Sequence, residues 1–347
     1  MTTETSRILS RVKTSRQRRS RFWYGITSVL VLIVVAGIAV TLMLGQSFTP
    51  PQDVLRVLMG ENVPGASFTV GHLRLPRALL SVLVGMSFGL GGVAFQIMLR
   101  NPLASPDIIG VSFGASAAAV FAIVILQLDG PAVSMFAVVA GLGIALLVYG
   151  LASRNGVAGT RLILIGIGIS AMIESFIAYI LARAPAWDLQ EAMRWLTGSV
   201  NAAQLDQASL VLVALIVFGG LLLSRGRDLE ALRMGDDTAA ALGVRVGLTR
   251  ITVIICAVGM IAVATAVAGP IAFVAFLSGP IAARLIGPNG SILIPSALIG
   301  ACLVLVGDYI GQFLMPSRYP VGVVTGALGA PYLIYLIIRV NRKGGSL

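Results

Sequence analysis

Fourteen carboxylates, one histidine and two cysteines are the whole supply of acid–base and metal-binding side chains in 347 residues. Their spacing does not suit enzyme chemistry. His72 is the only histidine, so a zinc site of the HExxH kind is impossible, and a histidine-based nucleophilic site would have to use His72 alone. It lies in a loop, where a histidine is ordinarily solvated. The only lysines are Lys13 and Lys343, and neither follows a glycine. The Gly-Lys-Ser/Thr of a phosphate-binding loop is therefore missing, and with it an ATP site of that type. Cys256 and Cys302 fall in apolar runs and read as small apolar fillers, with no disulfide framework. Two acids stand out because their neighbours are uncharged: Glu174 within 161–183 and Asp308 within 291–314. An ionisable group in such a segment must face the bundle interior or water. Both are candidate pathway residues, although Glu174 could equally make a helix–helix hydrogen bond. The chain reads as something other than an enzyme.

The elements that must position these groups are apolar helices. The chain is 57% hydrophobic and 11% charged, against about 25% charged in a soluble domain. Uncharged runs near 20 residues recur, each long enough to cross the roughly 30 Å hydrocarbon layer. The runs are continuous, whereas a membrane β-barrel alternates. The expected spans are 22–45, 78–99, 107–127, 131–152, 161–183, 207–224, 249–268, 270–283, 291–314 and 321–339, with the eighth short enough to be broken or tilted. The fold class is all-α: a polytopic membrane protein of about ten transmembrane helices. Residues 1–21 form a basic tail, 22–340 a single transmembrane domain, and 341–347 a second tail.

The net charge of +11 sets orientation. With the N-terminus cytoplasmic, all but Arg56, Arg74, Arg77, Arg183, Arg194 and Arg318 of the 25 basic residues fall on the cytoplasmic side, as the positive-inside rule requires. The C-terminus is then cytoplasmic too, and nucleic acid is not an expected partner. The first run is too long for a signal peptide and has no cleavage site behind it; it reads as a retained helix. Phe22, Trp23 and Tyr24 mark its interfacial end. On the other side, 51–58 and 188–196 read as short surface helices. The loop 225–250 carries two more, the second over Thr238–Leu242 behind Asp236 and Asp237 and stopped by Gly243.

Ordered motifs carry a resemblance. Arg74-Leu75-Pro76-Arg77 precedes a span thinned by Gly85, Gly89 and Gly92, where small residues let backbones approach. Gln96, Arg100-Asn101-Pro102-Leu103-Ala104, Pro106 and Gly110 follow. Further stretches are Trp195-Leu196-Thr197-Gly198-Ser199, Ala239-Ala240-Ala241-Leu242-Gly243, GPIAFV at 269–274 and Pro320-Val321-Gly322. The set resembles the FecCD family of ATP-binding-cassette importer permeases, and the resemblance covers nearly the whole chain after the first helix.

The resemblance implies a type II importer permease moving a ferric siderophore by alternating access; cobalamin or haem are the alternative cargoes. It implies a second permease subunit, identical or related, two cytoplasmic ATPase subunits that hold the ATP and magnesium, and an external substrate-binding protein. No cofactor is bound by the chain itself. Arg74 and Arg77 would dock the binding protein, whose carboxylates suit bidentate guanidinium bonding. Asn101, Pro102 and Leu103 would form a cytoplasmic gate. Ala239, Ala240, Ala241, Leu242 and Gly243 would form the helix that couples to the ATPase. Gly279-Pro280 departs from the family pattern, as do Ala283, Gln312, Arg318 and Tyr319. An ion-coupled secondary transporter using Glu174 and Asp308 as a relay is the competing reading.

Overall fold

The computed structural model describes residues 3–106, 110–152, 159–201 and 203–342, and among them every regular element is helical. Helix α1 (Thr3–Met43) already contains the segment expected to be a tail. Residues 3–21 have neither glycine nor proline and are rich in arginine, a good helix former, so the apolar helix propagates outward through them. Helix α2 (Pro51–Leu58) follows, with proline in its first turn.

The central element is α3 (Leu75–Leu99), entered through a π-helical turn over Ser67–Arg74. Together they form one apolar run from Ser67 to Leu99, longer at its start than the expected 78–99. Pro76 does not end it, because a first-turn proline lacks only an N–H that would be unpaired anyway. Next come α4 (Val111–Val124), α5 (Gly130–Ala152), α6 (Gly159–Leu181) and the surface helix α7 (Ala186–Leu196). Helix α8 spans Leu205–Ser224 with a π-helical stretch inside it. The following loop holds α9 (Gly226–Leu232) and α10 (Asp236–Ala241). The remaining helices are α11 (Val246–Ala268), α12 (Val274–Ile286), α13 (Leu293–Tyr309, prolonged by a π turn to Leu314) and α14 (Val321–Arg342).

Seven of these are long and apolar enough to cross a membrane; two shorter apolar stretches, Val111–Val124 and Val321–Leu336, stand at two more expected spans, and α12 stands at the remaining one. The count of ten is thus approximate.

Helix α3 packs against α13, α11 and α12, and its glycines decide how closely. A Cβ on Gly85 would stand 2.7 Å from the Cα of Ala301, and one on Gly89 would collide with the Ser296 carbonyl. Gly92 faces the Ala275 carbonyl of α12 in the same way. Gly300 completes the crossing from the α13 side, where an added Cβ would strike the backbone of Gly85. With lipid tails as apolar as the side chains, such close van der Waals contact is what holds two membrane helices together.

Between α11 and α12 the chain is irregular over 269–273, and Phe273 is left-handed at φ 65°. The expected break in the eighth span is real, and it lies ahead of the helix rather than within it. Irregular backbone at membrane depth survives only where protein covers it. Here the Trp195–Ser199 segment does so: Ser199 N–H donates to Ala268 O at 2.6 Å, and Gly322 N–H donates to Gly198 O at 3.1 Å. Three separate sequence motifs therefore close on one another.

Candidate functional site: the cavity beside α6 and the coupling turn

At the end of α3 remote from Arg100, two arginines bond to acceptors within the chain. Arg74 is buried, and its Nη1 donates to the Leu42 carbonyl at 2.8 Å, the Met43 carbonyl at 3.1 Å and Thr49 Oγ1 at 3.2 Å. Its Nη2 donates to the Ser47 carbonyl at 2.7 Å. The side chain staples the 42–49 turn to the start of α3. Arg77 makes a bidentate pair with Asp308 of α13, Nε to Oδ2 at 2.6 Å and Nη2 to Oδ1 at 2.7 Å. Asp308 is only 5% exposed in this pair. Both arginines expected to dock a binding protein are thus tied to internal acceptors in the single chain, Arg74 to the 42–49 turn and Arg77 to Asp308. Asp308, expected as a pathway residue, is held by the Arg77 guanidinium. Nearby, the Arg56 guanidinium of α2 is raised above its ordinary pKa by its hydrogen bond to Glu61. His72 is exposed beside the Phe68 ring, and no group of three or more potential metal ligands occurs among the described residues.

A cavity of about 730 Å³ opens between α4, α6 and the irregular 269–273 segment. Leu103, Ser112, Ser116, Glu174, Phe273 and Leu333 are among the residues that line it. Leu103 and Glu174 therefore border one cavity, whereas Asp308 is in the Arg77 pair. Among the described residues no basic side chain lines the cavity, and Glu174 is exposed in the single chain. The turn carrying Leu103 is shaped locally, because Asn101 Oδ1 accepts the Leu103 N–H at 2.9 Å. Asp107, expected to open the next span, lies outside the described residues.

At the other end of α3, Arg100 terminates the helix in the left-handed conformation, φ 52°. Its Nη2 lies 3.7 Å from Asp236 Oδ1. Both Asp236 oxygens also accept from Arg250 Nη2, at 2.9 and 2.8 Å. Asp236 and Asp237 sit within the first turn of α10 rather than ahead of it, where negative charge favours the helix dipole. Ala239 is buried, whereas Ala240, Ala241, Leu242 and Gly243 are exposed, Leu242 to 62%. Gly243 has φ +86°, a value that disfavours any side chain.

The Gly279-Pro280 departure has a structural partner that sequence reasoning missed. Pro280 lies inside α12 and has no N–H for the carbonyl four residues back, that of Phe276. Gln96 Nε2 of α3 donates to this carbonyl at 3.0 Å. Gly279 leaves the space that the Gln96 side chain fills, since a Cβ there would strike Gln96 Oε1. The proline, the glycine and the glutamine form one joint between α3 and α12. The signal was Gln96 itself, a lone amide inside an apolar span.

Comparison with known proteins agrees with this architecture. The ferric enterobactin transport system permease protein FepG of Escherichia coli (strain K12) is 41% identical over 320 residues, covering 89% of this chain and 94% of its own length. The achromobactin transport system permease protein CbrC of Dickeya dadantii (strain 3937) is 36% identical, covering 91% of each. The iron(3+)-hydroxamate import system permease protein FhuG of Bacillus subtilis (strain 168) is 33% identical, covering 91% of this chain and 97% of its own. A solved structure described as an inward-facing conformation of a metal-chelate type ABC transporter superposes with a TM-score of 0.79 at 26% identity, covering 91% of this chain and 99% of that one. The model of the FecCD transport family matches residues 31–339. A multi-pass inner-membrane protein with these helices and this cavity, the chain belongs to the FecCD transport family.

Proposed function

We propose that the chain is the permease subunit of an ATP-driven importer and that its cargo is a ferric siderophore. The observation that best supports ATP drive is the turn at 236–243. It offers two exposed alanines and an exposed leucine, ends on a glycine in a left-handed conformation, and is tied through Asp236 to Arg100. Arg100 directly precedes the Asn101-Pro102-Leu103 turn, and Leu103 borders the cavity. A small, exposed knob of this kind suits a groove on an ATPase subunit. Two such subunits would hold ATP and magnesium and carry out hydrolysis, and the termini would share their cytoplasmic side. A second permease subunit, identical or related, would face the cavity, and an external binding protein would deliver the cargo. The two conformations need similar stability so that partners can bias them. The secondary-transporter reading loses support because Asp308 is committed to Arg77.

The cargo rests on the relatives, which are named for ferric enterobactin, achromobactin and iron(3+)-hydroxamate. The test is uptake of radioactive iron as ferric siderophore in cells lacking the chain and in cells given it back. Restoration by the intact chain and not by Gly243→Arg supports both cargo and coupling. Undiminished iron uptake in the deletion strain overturns the cargo, and labelled cobalamin and haem are then the next substrates. An uncoupler that abolishes uptake at constant ATP overturns the ATP-driven reading.

A further inference from the structure

The importer reading makes no use of the basic head of α1, where the helix forms one wall of a groove. Arg16, Arg19, Ser20 and Trp23 recur at i, i+3, i+4 and i+7, one face of a helix. The turn between α12 and α13, with Asn289, Gly290 and Ser291, forms the opposite wall, and the cleft holds about 290 Å³. Its walls are fixed. Trp23 Nε1 donates to the Ser291 carbonyl at 2.7 Å, and Gly290 makes room for the indole, since a Cβ there would stand 3.0 Å from Trp23 Cγ. Among the described residues no acid lines the cleft, and neither Arg16 nor Arg19 forms an ion pair with another of them. Two exposed guanidinium groups on this wall, without a counter-charge among the described residues, call for an external anion.

We propose that this groove binds the phosphate headgroup of an anionic phospholipid. Depth argues for a lipid over a free anion. Arg19 and Arg16 precede the apolar run at Phe22 by about 5 and 9 Å along the helix axis, which is the headgroup layer beside the roughly 30 Å hydrocarbon core. Trp23 and Tyr24, paired edge to face at 5.1 Å, sit where interfacial aromatics belong. Guanidinium groups match phosphate oxygens geometrically, and basic pockets between membrane helices recognise such headgroups. The site lies on the coupling side of the molecule, because a neighbouring cleft shares Trp23 and Ser291 with it and reaches Leu242.

The test uses the transporter purified with its ATPase partners and titrated with phosphatidylglycerol, phosphatidylcholine or inorganic phosphate, with native mass spectrometry as readout. Arg16→Gln/Arg19→Gln is expected to weaken phosphatidylglycerol binding about tenfold or more, each basic group near the surface being worth about 1 kcal/mol. Arg11→Gln/Lys13→Gln, which removes two charges from the same helix outside the groove, should leave it within about twofold, on the same reckoning of contact over distance. Arg16→Lys/Arg19→Lys should keep most of the binding, separating loss of charge from loss of fold. Equal losses in the two glutamine pairs would mean diffuse surface charge and overturn the site. Displacement of the lipid by millimolar inorganic phosphate would overturn the lipid in favour of a free anion.

Discussion

The most informative single residues are those whose charge has been turned inward. Arg77 and Asp308 are 231 positions apart in sequence and form a bidentate pair where α3 meets α13. The sequence marks both as notable, an arginine in a short motif and an acid in an apolar span, but carries no signal that they meet. Breaking a buried ion pair from one side costs more than removing it, because the remaining charge keeps its desolvation penalty without its partner. Arg77→Ala or Asp308→Ala should each destabilise the folded subunit by about 3 kcal/mol. Arg77→Met with Asp308→Leu should cost less than either single change. Thermal melting of the purified subunit reads the order directly. A double variant less stable than both singles would show that the pair does more than satisfy itself. Arg74 teaches the same lesson: its RLPR setting suggested an exposed docking group, and its burial among backbone carbonyls could not be read from types and spacing.

Elements were more legible than contacts. Hydrophobic run length and charge gave helices near every expected span, since both are properties of consecutive residues. The ends were less legible, because a helix propagates until a residue refuses, and neither the basic tail nor Pro76 refused. What sequence could not provide was how elements are joined. The Gln96–Pro280 joint couples α3 to α12, and the Arg100–Asp236–Arg250 cluster couples α3 and α11 to α10. The second bears on the proposed coupling, because α10 forms most of the exposed turn proposed to meet the ATPase and Arg100 directly precedes the Asn101-Pro102-Leu103 turn. Arg100→Ala cuts the tie while leaving Asp236 its Arg250 bonds, so α10 should keep its place. The expected outcome is ATPase activity of the assembled transporter within about twofold of normal and cargo uptake reduced about tenfold, equivalent to about 1.4 kcal/mol of lost coupling. Arg100→Lys should recover part of the uptake. ATPase activity and uptake falling in parallel would assign Arg100 a role in assembly alone.

For the whole molecule, the question is what covers Glu174. In the single chain this carboxylate is exposed on α6, as are apolar side chains of the same helix such as Leu164, Ile167, Met172 and Phe176. Lipid suits the apolar groups but not the acid: an acidic side chain at the centre of a membrane helix costs about 2.5–3.5 kcal/mol by insertion measurements. The cavity gives the alternative. Glu174 lines it together with Ser112, Ser116 and Leu103, so one wall of an enclosure is already in place. A second permease subunit across that wall would enclose a path without ever placing the carboxylate in hydrocarbon. A cysteine at this position distinguishes the two surroundings, because the native Cys256 is buried and Cys302 only partly accessible. With Cys302→Ala as background, Glu174→Cys in the assembled transporter should react with a hydrophilic maleimide, whereas Leu164→Cys on the same helix should react far more slowly if lipid covers it. The rate at position 174 should also change when ATP and a non-hydrolysable analogue alternately bias the two conformations. A thiol at position 174 as inert as the one at position 164 would mean that the cavity is filled by packing in the assembly, and that cargo passes elsewhere.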